Sequence, residues 1–289
     1  MRVAVVAHRQ SETNRNLARA RWGDSRAVLL RPSEALIALT RHDVALGRLD
    51  VAATLDGVEP GLAQLDQLAE HGVCVLNPPR ALLVAHDKLL TSIVLGGAGV
   101  PHPATQSIME TTGAIDLEPP LVLKPRFGSW GRDVVLCRSR DGVERMRELL
   151  SERPWFRAGA VAQEFVPPRG YDLRLVVAAG RVVGAVRRIA APGEWRTNVA
   201  LGASRAATVP PPAAVELALA AADAAGLDLV GVDLLPDGRD GYVVIELNGA
   251  VDFNRDYRLL GNPFAVAAAA LRRRARQPED LPRQLRAAG

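Results

Sequence analysis

Short apolar runs recur through the first 80 residues, separated by polar or helix-patterned segments. The runs at 3–7, 27–30, 51–55 and 73–76 predict strands, and the periodicity at 60–71 predicts a helix. Strands alternating with helices imply a small parallel sheet covered on its faces, hence an α/β unit. Asn77-Pro-Pro79 breaks the pattern and marks a boundary, and a helix is predicted from 79 to the glycines at 96, 97 and 99.

The pattern changes after residue 120. Strands at 121–124, 134–137 and 160–165 enclose a glycine loop and a helix at 141–151, which is an α+β arrangement. Runs at 173–178 and 181–189, joined at Ala179-Gly180, predict a hairpin. A long alanine-rich helix follows at 210–225, then a second hairpin from 230–235 and 242–247, and a helix at 262–274. The division expected is an N-terminal α/β domain at 1–78, a central subdomain at 79–166, a C-terminal subdomain at 167–275 and a tail at 276–289.

Composition narrows the possibilities. No apolar run is long enough for a membrane span, and the opening Met1-Arg-Val-Ala-Val-Val-Ala-His8 reads as a strand rather than a leader. Two cysteines, Cys74 and Cys137, sit within apolar runs and are expected to be buried thiols of a cytoplasmic protein. Neither cysteines nor the five scattered histidines give a zinc spacing. The net charge of +4 comes from arginines spread along the chain, which argues against a dedicated nucleic-acid surface.

Of the 36 basic residues only two are lysines, Lys88 and Lys124. A lysine is a compact charge on a flexible stem, suited to reaching between phosphate oxygens, whereas arginine is a planar fork. Lys124 ends a strand and precedes Gly128-Ser-Trp-Gly131, where backbone N–H groups can approach an anion; a P-loop would place the lysine after its glycines. His86-Asp87-Lys88 is expected in the middle of a helix.

Three further segments carry chemistry. Asp172 and Arg174 are two apart at the start of a strand and so share a face, just after Gln163-Glu-Phe165. Arg187-Arg188 and the run Glu194-Trp-Arg-Thr-Asn198 concentrate positive charge next to a strand end. Asp233 interrupts one apolar strand, and Glu246 and Asn248 sit two apart on the next. Burying such groups unpaired is costly, and two carboxylates with an amide oxygen suit Mg²⁺.

Read in order, these motifs resemble the ATP-grasp fold in its RimK/LysX-like branch of carboxylate–amine ligases, over roughly residues 75–260. The resemblance implies a small N-terminal parallel α/β domain, a central lid subdomain and a C-terminal antiparallel-sheet subdomain, with ATP between the last two. It implies that Lys88 and Lys124 contact phosphates beneath the loop of Gly128, Ser129, Trp130 and Gly131. Gln163, Glu164 and Phe165 would line the adenine hinge, with Asp172 near the ribose. Asp233, Glu246 and Asn248 would hold Mg²⁺, for which Mn²⁺ could substitute. Arg174, Arg188, Arg196 and Asn198 would surround the γ-phosphate and the acceptor carboxylate. The implied reaction joins an amino acid to a carboxylate, free or borne by a carrier protein or peptide, through an acyl phosphate, releasing ADP and phosphate; dimers or tetramers are common in the family.

Two departures matter. The N-terminal loops, which commonly shape the acceptor site in this family, show no readable pattern. The segment Gly249-Ala-Val-Asp-Phe-Asn254 lacks the Ser-Pro-Gly common in RimK-like members, which argues against ribosomal-protein glutamylation. Two alternatives stay open: a peptide or specialised-metabolite ligase of the D-amino-acid type, and a nucleotide- or nucleic-acid-binding module without ligase activity.

Overall fold

A computed structural model describes residues 1–109, 113–239 and 241–277. Three sheets organise it, and the first is parallel. It runs β4 (Val28–Leu30), β1 (Val3–Val6), β5 (Val44–Gly47), β6 (Cys74–Leu76), connected through α1 (Glu12–Arg19), α2 (Pro32–Ala38) and α3 (Leu62–Glu70). A two-stranded ribbon, β2 (Arg21–Trp22) and β3 (Ser25–Arg26), follows α1. Alternate residues of β1 enter different cores: Ala4 and Val6 pack beneath α2 and α3, whereas Val3 and Val5 face the other way. That is what a strand covered on both sides requires.

The segment 51–55 is not a strand. It makes one antiparallel bridge, Val51 to Val58, and Leu55 turns at φ 59°. Val51 and Leu55 are apolar because they plug the core of the second sheet. The third N-terminal strand is instead Val44–Gly47, a run too short for its pattern to stand out.

The expected single helix at 79–97 is two, α4 (Pro79–His86) and α5 (Lys88–Gly97). Asp87 breaks it at φ −96°, ψ 105° and caps α5 by accepting from the Leu89 and Leu90 amides. His86-Asp87-Lys88 is therefore a helix junction, and Lys88 opens the second helix.

The second sheet is antiparallel, in the order β7 (Thr105–Ile108), β10 (Ala160–Glu164), β8 (Leu121–Pro125), β9 (Val135–Cys137), with α6 (Arg140–Ser151) on one face. The third is antiparallel and five-stranded: β13 (Ser204–Ala207), β12 (Arg181–Ile189), β11 (Tyr171–Ala178), β14 (Leu229–Pro236), β15 (Tyr242–Asn248). One of its faces packs on the alanines of α7 (Pro212–Ala224). The other shares a core with Val3, Val5, Leu46 and the buried side of α8 (Pro263–Arg276). The last helix thus welds the N-terminal sheet to the C-terminal one.

Both cysteines are free thiols, Cys137 buried and Cys74 half-buried. No helix among the described residues is long and apolar enough to cross a membrane. Of the expected tail at 276–289, residues 278–289 lie outside the described residues.

Candidate functional site

A cleft of about 890 Å³, counting its open mouth, lies between the second and third sheets. Strand alternation decides what faces it. In β8, Leu121 and Leu123 go to the core while Val122 and Lys124 line the cleft. In β11, Leu173 and Leu175 go to the α7 core, leaving Asp172 and Arg174 on the opposite face. The cleft collects every predicted site residue except Arg174 and Asn248.

Lys124 is only 6% exposed, and its Nζ donates to Gln163 Oε1 at 2.7 Å; Gln163 in turn donates to Thr105 Oγ1 at 2.9 Å. Burial, with Lys88 nearby, pushes the Lys124 amine down to about 7. Lys88 donates to the Gly128 carbonyl at 2.8 Å and pairs with Glu246 Oε1 at 3.0 Å. One amine therefore ties the glycine loop to the C-terminal sheet.

Two carboxylates and two guanidiniums form a buried quartet across three neighbouring strands. Arg188 lies opposite Asp172, and Arg174 opposite Asp233, in the sheet register. Arg174 grips Asp233 with two bonds of 2.6 Å, while Arg188 forks onto Asp172 and also reaches Asp233 at 2.8 Å. Burial alone would raise the Asp233 carboxyl, but the two arginines outweigh it and hold it at about 2. Burial lowers the affinity of Arg188 for its proton, yet Asp233 and Asp172 reverse this and keep it charged. Thr197 Oγ also donates to Asp172, so that carboxylate is fully engaged.

The run 194–198 closes another side. Glu194 accepts from the backbone amides of Trp195 and Arg196 and from the Arg196 side chain, which holds its carboxyl at about 2. Arg196 reaches the carbonyls of Gly131 and Val134 at 3.3 and 3.4 Å. A side chain at Gly131 would meet Asn198 Oδ1 at 2.9 Å, and its φ of +72° also favours glycine.

Trp195 and Thr197, within the run 194–198 but with no expected role of their own, and Ile245 also line the cleft. Trp195 packs edge-on against Phe165, with centroids 5.6 Å apart. A large apolar residue inside a polar loop was a usable signal for it. Ile245 gave none: a register shift after Asp233 turns both Ile245 and Glu246 toward the cleft, against simple alternation.

A cleft between two antiparallel sheets, walled by a glycine loop and two lysines, defines the architecture of an ATP-grasp ligase. Residues 85–268 match the family described as the RimK-like ATP-grasp domain. A "Probable alpha-L-glutamate ligase" of Xanthomonas campestris pv. campestris (strain 8004) is 34% identical over 224 residues, 73% of this chain and 72% of that protein. A solved RimK-domain ATP-grasp protein from Sphaerobacter thermophilus DSM 20745 has a TM-score of 0.66 at 26% identity, covering 94% of this chain and 98% of that one. The D-alanine–D-alanine ligase of Bacillus anthracis shares the fold, with a TM-score of 0.70 at 16% identity over 96% and 99% of the two chains. The chain belongs to the RimK-like ATP-grasp family and is a ligase.

Proposed function

We propose that the chain is an ATP- and Mg²⁺-dependent carboxylate–amine ligase, forming an amide between an amino acid and a carboxylate through an acyl phosphate. The observation that carries this is the convergence of the only two lysines with Asp233 and Glu246 in one cleft. Val122, Phe165, Val166, Leu235 and Ile245 offer an apolar slot for a base. Lys124, Lys88 and the amides of 128–131 would hold the phosphates, and Arg188 and Arg196 would face the transferred phosphoryl group. Asp172 would act through Arg188, and Arg174 through Asp233, each fixing the partner it grips. Asn198 would support the loop at Gly131.

The donor set fits a divalent cation. Asp233 and Glu246 lie opposite each other in the ladder, Asp233 drawing two guanidiniums and Glu246 one amine. Asn248, two residues further along β15, would add its amide oxygen; its amide nitrogen, buried without a partner, is a donor and takes no part in ligation. A bound Mg²⁺ would neutralise phosphate charge as the phosphoryl group moves. The substrate carboxylate oxygen attacks the γ-phosphorus and ADP leaves; an amine then attacks the acyl carbon and expels phosphate. No side-chain nucleophile takes part, so the residues above supply alignment and charge.

The name borne by the relatives puts L-glutamate first among amino acids to try, with D-alanine as the probe of the D-amino-acid alternative. Purified chain with ATP, Mg²⁺ and paired carboxylate and amino-acid panels should release phosphate and yield an amide of the summed mass. Lys124→Ala should lower that turnover at least a hundredfold, on the order of what a phosphate-contacting cation contributes. Full turnover in that variant would refute the assignment.

A further inference from the structure

Trp130 stands out within the glycine loop. It is 48% exposed, lines the cleft, and holds φ +61°, a left-handed conformation unfavourable for a bulky side chain. Such strain persists only where the surroundings impose it. Those surroundings are visible: the Arg132 guanidinium carbon lies 5.3 Å from the indole centroid, and that of Arg9 lies 5.2 Å from it. Both distances are within the range of cation–π attraction.

Arg9 comes from a different part of the molecule. It follows β1, at the carboxyl edge of the parallel sheet, and its Nη1 pairs with Asp50 Oδ2 at 3.1 Å after β5. Asp50 is itself anchored by accepting from the Val51 amide at 2.7 Å. The loop is therefore held from three directions. Lys88 binds the Gly128 carbonyl, Arg196 binds the Gly131 carbonyl, and Arg9 covers the ring between them. The first two grips come from the nucleotide cleft; the third is the only one of the three from the N-terminal sheet.

We infer that Arg9 is a positioning residue of the ligase, acting through Trp130 to pin the phosphate-facing loop from the N-terminal side. This rests on the cleft being a nucleotide site. With three anchors the backbone amides of 128–131 keep one orientation; without the third the loop is free to pivot about the cleft-side contacts. The Arg9–Trp130 stack also links the edge of the N-terminal sheet to the phosphate loop. Removing Arg9 therefore loosens phosphates without removing a group that lines the cleft.

The test is a double-mutant cycle on the dissociation constant of ADP in the presence of Mg²⁺. Arg9→Ala and Trp130→Ala should each weaken ADP about two- to fivefold, the yield of an exposed cation–π contact. The double variant should be no weaker than Trp130→Ala alone, and Arg9→Lys should recover most of the loss, since an ammonium also attracts the ring. Asp50→Asn removes the ion pair that orients Arg9 and should weaken ADP by no more than Arg9→Ala does. Urea midpoints should match the wild type throughout, separating loop position from folding. If ADP binds but the two losses add, or Arg9→Ala binds as the wild type does, the inference is wrong while the ligase reading stands. A wild-type chain that does not bind ADP overturns both.

Discussion

In the role proposed for Lys124, nucleotide binding is a proton-linked event. Its amine is buried against Gln163 and lowered from 10.5 to about 7, so near pH 8 it is mostly neutral. Taking that value, about 9% of Lys124 carries a charge at pH 8 and about 90% at pH 6. A phosphate arriving beside it restores the charged form. Binding at pH 8 should then take up about 0.9 proton, falling to about 0.1 at pH 6, and affinity should drop about tenfold per pH unit above about 8. Calorimetry of ADP at pH 8, in buffers of different ionisation enthalpy, reads the uptake directly, because the phosphates are already ionised there. Lys124→Met should abolish the uptake. Uptake below about 0.3 proton, or uptake surviving in Lys124→Met, would refute a buried amine waiting for phosphate. The same shift sets a stability trend. The unfolded chain holds this proton up to 10.5 and the folded chain only to about 7, so stability should rise with pH through that window. Below pH 7 the full cost of burying the charge is present.

Asp87 is fully buried, caps α5 and binds Arg126 through Nε and Nη2 at 2.8 and 2.6 Å. Asp87→Ala loses the cap and strands a half-buried guanidinium, and should cost about 2–4 kcal/mol by urea denaturation; a loss under about 1 kcal/mol would mean the junction is held elsewhere. Gly184 has ordinary backbone torsions but no room: a Cβ would lie 2.8 Å from the Tyr257 carbonyl oxygen. Gly184→Ala should cost about 1–3 kcal/mol, whereas Gly57→Ala, with nothing within 4 Å, should be neutral in the same measurement.

Strands whose apolar character comes from a sheet were legible; segments whose apolar character comes from elsewhere were not. The hairpins at 171–189 and 229–248 announced themselves because one face packs on α7 and the other carries charge. Val51 and Leu55 misled because they serve a neighbouring sheet's core from a loop, which leaves the same local pattern as a short strand. The pattern alone puts Asp87 within a helix, although an aspartate followed by an apolar run is also a cap signature. Its partner Arg126, 39 positions away, and the backbone bridge from Asp87 to Phe127 hold the break in place. The site was more legible than the fold around it because its charges interrupt apolar strands. Their pairing was not: which arginine grips which carboxylate depends on register, and register is a property of two strands together.

That pairing explains how so many charges can share one cleft. Among the described residues lining it, Asp233 is shared by Arg174 and Arg188, Arg188 also serves Asp172, and Lys88 serves Glu246. Lys124 has no carboxylate partner there, only the amide oxygen of Gln163. A neutral acceptor cannot compensate a full positive charge in a buried position, so the amine gives up its proton instead. The paired groups keep their charges because each is balanced by a partner. The unpaired amine is the one whose charge depends on its ligand, and it is placed on β8 directly before the glycine loop. The paired cations and Lys124 thus differ in partner type: carboxylates for Arg174, Arg188 and Lys88, an amide for Lys124. Gln163→Glu inverts that choice. A carboxylate beside Lys124 would hold the amine charged, remove the proton uptake and weaken ADP by competing with its phosphates, all in the calorimetric assay described above.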